Sequence, residues 1–165
     1  MFKVIQHFFL RRQLKFSSPQ KPDRRAESKI GVLYNVEKFH KEQIRECIQN
    51  NFDTTASEII FLGFCNSEQY KYENIDNVFS LKDFNLFGKY DSKVISAFTN
   101  QSYNIVFNFF ENDQICLELI SQQTKAELKV GFSSCNQQIN DLLLMLDSNN
   151  IDFFKESSKY IKHIL

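Results

Sequence analysis

From residue 29 onward, short apolar runs alternate with stretches of helical periodicity. KIGVLYNV at 29–36 is rich in β-branched residues and lacks strict alternation, the pattern of a strand covered on both faces. Phe39, Ile44, Cys47, Ile48 and Phe52 then line one side of a helix over 39–52. EIIFLGFCN at 58–66 is a second buried strand. Strand, helix and strand at this spacing predict a right-handed βαβ unit.

Residues 77–81 predict a short strand, and Phe84–Lys89 an ordered loop in which two Phe and a Leu flank Gly88. Ser92 opens a helix over 92–99 with Val94, Ile95 and Phe98 inward. YNIVFNFF at 103–110 is the clearest strand. Asn112 or Asp113 caps the next helix, whose buried stripe is Ile115, Cys116, Leu119 and Ile120. Segments 128–134 and 140–146 read as strands joined by about five residues, too few for a parallel crossover, so this pair is expected to be antiparallel. A helix over 151–165 closes the chain. The sum is a three-layer α/β domain: a mostly parallel sheet of five to six strands with an antiparallel edge. Gly31, Gly63 and Gly131 lie inside the apolar runs, where tight helix-on-sheet packing would account for them.

A different pattern precedes this body. Residues 2–15 read as an amphipathic helix, with Phe2, Val4, Ile5, Phe8 and Phe9 on one face and Lys3, Gln6, His7 and Arg11 on the other. Such a helix either packs on the body or seeks a membrane or partner surface. Residues 17–28 contain both prolines, Pro19 and Pro22, and read as a linker. The expected organisation is a basic helix and linker over 1–28 and a single α/β domain over 29–165.

Charge sharpens this division. Residues 1–29 hold eight Lys or Arg against two acids, a net of +6, and the remainder carries −6. The arm therefore either meets an anionic partner or folds back on its own acidic body. Arg11, Arg12, Arg24 and Arg25 are its candidate contacts for RNA, a ribosome or an acidic protein, and such contacts would be salt-sensitive and blind to sequence. Eighteen phenylalanines with no tryptophan read first as an AT-rich codon bias and second as an aromatic core. Cys47, Cys65, Cys116 and Cys135 form no CxxC pair, which suits free thiols in a reducing cytoplasm. No stretch approaches the roughly 20 apolar residues of a membrane span.

Catalytic motifs are missing. There is no GxGxxG or GxxxxGK[ST], and the first βα turn, Asn35-Val36-Glu37-Lys38, holds no glycine to cradle a phosphate. No His, Cys or carboxylate cluster has metal-ligand spacing, and Glu111-Asn112-Asp113 reads as helix capping. No cofactor or metal is expected. Parallel α/β sheets bind ligands beyond the carboxyl ends of their strands. Applied here, that rule makes Asn35, Asn66, Lys89, Asp113 and Ser133 the candidate ligand-binding residues.

Four segments, KIGVLYNV at 29–36, DFNLFGKY at 83–90, YNIVFNFF at 103–110 and TKAELKVGFS at 124–133, together resemble an uncharacterised family of small proteins from flavobacteria and related Bacteroidota. The family tends to carry Trp before Phe-Gly-Lys, where this chain has Leu86. The resemblance implies a bacterial cytoplasmic protein and transfers no functional residue. The leading expectation is a non-enzymatic accessory protein whose arm docks on an anionic partner. A ligand-binding or enzymatic domain using the strand ends, and a peripheral membrane protein using the N-terminal helix, are the alternatives.

Overall fold

The computed structural model describes residues 2–22, 28–55, 58–67, 76–111, 114–147 and 150–162. Its elements are α1 (Phe2–Phe16), β1 (Ile30–Asn35), α2 (Lys41–Asn51), β2 (Ile59–Cys65), β3 (Val78–Ser80), α3 (Lys93–Thr99), β4 (Ser102–Phe109), α4 (Ile115–Gln123), β5 (Lys125–Phe132), β6 (Leu142–Leu144) and α5 (Phe153–Ile161). The six strands form one sheet in the order β3-β2-β1-β4-β5-β6, and every strand pair is parallel.

The expected antiparallel edge is therefore wrong. Val130, Gly131 and Phe132 pair in parallel with Leu142, Leu143 and Leu144. The strands are shorter than the apolar runs, so the connection runs from Ser133 to Asp141. β6 pairs with only the last three residues of β5, so the chain climbs back just two residues, about 7 Å at ~3.3 Å per residue. Two turns, closed by Cys135 N–H to Phe132 O and Ile139 N–H to Asn136 O, make that short return without a helix.

Side-chain alternation sends consecutive strand residues to opposite faces. On one face Phe107 and Phe109 of β4 and Phe132 of β5 meet Phe153 and Phe154 of α5, with Phe39 and Phe52 from either end of α2. These rings give the phenylalanine excess a structural use. α2 packs beside α5 there, while α3 and α4 pack together on the other face, with α1 laid against α4. Of the three strand glycines, only Gly31 is explained by a helix, since an added Cβ would lie 3.0 Å from Phe98 of α3. At Gly63 the neighbour is Val36, and at Gly131 it is Asn140.

α1 is docked through a face that its apolar pattern does not announce. Gln6, Leu10 and Leu14 are buried, one helical turn apart, with Phe9 and Gln13 half-buried beside them. Gln6, expected on the polar side, sends its amide nitrogen to the carbonyls of Phe84 (2.7 Å), Leu81 (3.2 Å) and Asn85 (3.3 Å). Gln122 of α4 fastens the helix's end, donating to Ser17 O at 2.6 Å and accepting from Ser17 Oγ at 2.9 Å.

Lys129 of β5 is 1% exposed and gives its ammonium to Ser121 O in the last turns of α4, at 2.5 Å. A helix C-terminus favours a cation there. Burial, with Lys21 adding repulsion, nevertheless pulls its pKa down to about 8, while Asp141 pulls the other way. Between about pH 8 and 10.5 the unfolded chain binds the extra proton, so this group makes stability rise with pH through that window. Urea unfolding at pH 7.5 and 9.5 should show a gain of about 2 kcal/mol from this source at the higher pH. Lys129→Met should abolish that component and be at least as stable at pH 7.5. An unchanged pH slope in the variant would contradict the assignment.

Candidate functional site

The strand order reverses direction between β1 and β4, the place where doubly wound sheets open a ligand crevice. In this chain the first βα turn bridges that crevice. Lys38 forms an ion pair with Glu111 beyond β4. The Phe39 ring lies 4.4 Å from Phe109, centroid to centroid. On the other side Glu37 accepts the backbone N–H groups of Ser67 (2.8 Å) and Asn66 (3.4 Å) just past β2. Asn35 is 4% exposed, and its Oδ1 accepts Glu37 N–H at 2.8 Å. It shapes the turn that carries these contacts.

The open concavity lies farther along the same rim. A cavity of about 470 Å³ sits past the carboxyl ends of β2 and β3, beneath the first two turns of α1. Asn66 and Ser67 line it from just past β2, Ser80 from the end of β3, Lys82 from the turn after it, and Lys3 and His7 from α1. Cys65, Leu81 and Phe84 supply its apolar wall. A smaller hollow of about 110 Å³ shares His7, Asn66 and Leu81 and reaches the start of α4. The floor is firm because Ser80 and Asp83 cap the turn at Leu81–Asp83 reciprocally, Asp83 Oδ2 accepting Ser80 N–H at 2.7 Å.

Of the five residues expected at the rim, the four that are described do not converge. Asn66 lines the cavity. Lys89 is exposed in a loop closed by an antiparallel bridge between Phe84 and Tyr90, and faces a separate hollow beside the C-terminal half of α1. Ser133 is exposed, with its N–H tied to Leu144 O at 2.8 Å. Asp113 lies outside the described residues, as do Arg24 and Arg25. Sequence reasoning missed Lys3, His7, Ser67 and Lys82. Ser67 and Lys82 directly follow predicted strands, so the strand-end rule reaches them, but α1's share required knowing where that helix docks.

The thiols are poorly suited to nucleophilic work. Burial pushes Cys116 up to about 12 and Cys135 up to about 11, and Cys135 Sγ donates to Phe110 O at 2.8 Å. Cys65 is raised by burial first and then by the Glu37 carboxylate. A protonated thiol is a weak nucleophile. Among the described residues no group of three His, Cys, Asp or Glu is placed to hold a metal.

A second feature lies on the outer side of α1. Val4 (72% exposed), Phe8 (62%) and Phe16 (75%) point away from the body, with Ile5 less so. Arg11, Arg12 and Lys15 are exposed between them, and the Arg12 guanidinium lies 6.0 Å from the centre of the Phe16 ring. Exposed Phe87 extends the patch, its ring edge-on to Phe9 at 5.4 Å. α1 carries no acidic residue.

A protein-family model matches residues 4–164, from the first turn of α1 to beyond the end of α5. The chain belongs to DUF6913, a family of unknown function. The DUF6913 match takes in α1 and the sheet together, in keeping with the buried Gln6, Leu10 and Leu14 that join them. No curated protein and no solved structure matches the chain.

Proposed function

We propose that this protein is a non-enzymatic accessory domain that attaches reversibly to an anionic phospholipid surface through the outer face of α1. The observation that carries the reading is the exposure of Val4, Phe8 and Phe16 among Arg11, Arg12 and Lys15 on a helix with no acid. Apolar side chains interleaved with cations suit a membrane interface, where the first enter the acyl boundary and the second meet headgroup phosphates. RNA or a ribosome would use the cations but offers little to an aliphatic such as Val4. A second copy of the same face would set like charges against each other. Of the expected apolar face, Phe9 is half-buried against the body, while Val4, Ile5 and Phe8 stay at the surface.

Magnitudes make the attachment weak. Three cations contribute about 1 kcal/mol each near an anionic leaflet, and three apolar side chains roughly 1.5–3 kcal/mol each when fully buried. Association costs of about 4–15 kcal/mol oppose them. The result is salt-sensitive, reversible binding. Among the described residues no helix is long and apolar enough to cross a membrane. In a bacterial cytoplasm, which the family resemblance implies, the inner leaflet is the surface such a helix would meet.

Flotation with phosphatidylglycerol-containing vesicles tests this. The full chain should float with them at 50 mM salt, less so at 300 mM, and not with pure phosphatidylcholine. Arg11→Glu with Arg12→Glu, and separately Phe8→Ser, should each reduce flotation at least fivefold. These positions lie off the buried face, so circular dichroism should be unchanged, whereas deleting α1 would strip cover from the body. Equal flotation on neutral vesicles would defeat the reading. So would RNA retention that survives Phe8→Ser, which would hand the face to nucleic acid.

A further inference from the structure

We infer that the turn at 85–89 is a second anchor on the same anionic lipid surface, setting Phe87 into the acyl boundary and Lys89 among the headgroup phosphates. This rests on the docking reading of α1 and extends it. The turn is built to hold its shape. Asn85 N–H donates to Lys89 O at 2.7 Å, and Gly88 N–H to Asn85 O at 3.0 Å. Asn85 Oδ1 accepts the N–H groups of Phe87 (2.9 Å) and Lys89 (3.0 Å). Gly88 takes the left-handed conformation, φ +76°, which a side chain would strain. The turn is also pressed onto the helix. Gln13 of α1 donates from Nε2 to Phe87 O at 2.7 Å, and a Cβ on Gly88 would lie 3.1 Å from Cδ2 of buried Leu10.

An apolar ring on a loose loop gains by folding against the body. Here the closed backbone holds Phe87 59% exposed, with its ring edge-on to Phe9 of α1. Its surroundings continue the outer face of the helix. A hollow of about 570 Å³ between turn and helix is lined by Phe9, Phe16 and Phe87 together with Arg12 and Lys89. Arg12 and Phe16 also line a neighbouring hollow with Phe8, Arg11 and Lys15. One surface of rings interleaved with cations therefore runs from Phe8 across α1 to Phe87, the mixture that suits a lipid interface. A helix lying alone on a leaflet can roll about its own axis. A second apolar side chain off that axis, already ordered, stops the roll at no further ordering cost. The protein then meets the membrane in one orientation.

The chain has no tryptophan, so Phe87→Trp gives the full chain a single reporter at the tip of the turn. With phosphatidylglycerol vesicles at low salt its emission should shift to the blue, and vesicles with brominated acyl chains should quench it. Met145→Trp, 89% exposed just after β6 at the opposite edge of the sheet from β3, should show neither change. Phe87→Ser and Lys89→Glu should each weaken vesicle binding about tenfold, the second with a shallower dependence on salt. Both side chains are exposed, so circular dichroism and thermal unfolding should be unchanged. Vesicle binding with the reporter's emission unmoved, or with full affinity in Phe87→Ser, overturns the inference and leaves α1 as the whole anchor. Absence of vesicle binding by the unsubstituted chain removes the docking reading and this inference together. Quenching of the reporter by single-stranded RNA, with no response to vesicles, would assign the turn to base stacking and overturn the inference as well.

Discussion

Phe109→Ala should lower the folding free energy by about 4 kcal/mol, the largest effect expected of any single truncation here. Phe109 is fully buried at the carboxyl half of the central strand β4. Its ring lies 4.4 Å from Phe39, 4.9 Å from Phe154, 5.4 Å from Phe153 and 5.5 Å from Phe132. Those four rings come from the α2 turn, α5 and β5, so the cavity left by alanine cannot close by moving one neighbour. Aromatic pairs contribute roughly 0.5–1.5 kcal/mol beyond buried area, and several are lost together. For a chain of this size the midpoint of thermal unfolding should fall by about 8–16 °C. Phe109→Leu, which keeps most of the volume, should cost less than half as much. A loss below about 1 kcal/mol for alanine would mean that these rings do not pack as one cluster.

Gly63→Ala should be the most damaging addition of a single methyl group. The new Cβ would fall 2.3 Å from Val36 Cγ1 and 3.4 Å from the Tyr34 ring. Val36 and Tyr34 are both buried, at 3% and 1% exposure, so neither can swing into solvent. Overpacking of this kind costs about 1–3 kcal/mol, and the tight contact argues for the upper part of that range. Val36→Ala removes the opposing methyl groups. The double variant should therefore be more stable than Gly63→Ala alone, a coupling readable in a double-mutant cycle by urea unfolding. Additive losses would show that the clash is not the cause. Val36 also precedes Glu37 and Lys38, so the same substitution should loosen the turn that bridges β1 to both neighbouring strand ends.

Both expectations rest on side chains whose burial was readable before any coordinates. YNIVFNFF declared β4, and KIGVLYNV with EIIFLGFCN declared the first βαβ unit, because a strand covered on both faces has no room for polar alternation. The helices over 39–52 and 92–99 were legible from their stripes, apart from a residue or two at the ends. The edge of the sheet was misread for a geometric reason. Apolar runs mark what is buried, and Ser133–Asp141 proved to be a loop that buries Cys135 and Ile139 rather than a tight hairpin. At the candidate site, Asn66 was reached by the strand-end rule, whereas Asn35 was drawn into a turn and Lys89 and Ser133 went elsewhere.

Local pattern by itself determined the kind of most elements, the α/β class, and the concentration of positive charge in residues 1–29 ahead of a net acidic remainder. Tertiary structure decided the strand order, the direction of β6, the face that α1 presents, and the cavity at β2 and β3. The physical reason is plainest in α1. Periodicity reports which side chains avoid water, but this helix has apolar residues on both sides, so its own sequence leaves the rotation open. The bonds from Gln6 to three loop carbonyls, and the fit of Leu10 and Leu14 against the body, select one rotation. That choice turns Val4, Phe8 and the arginines outward and brings Lys3 and His7 to the cavity.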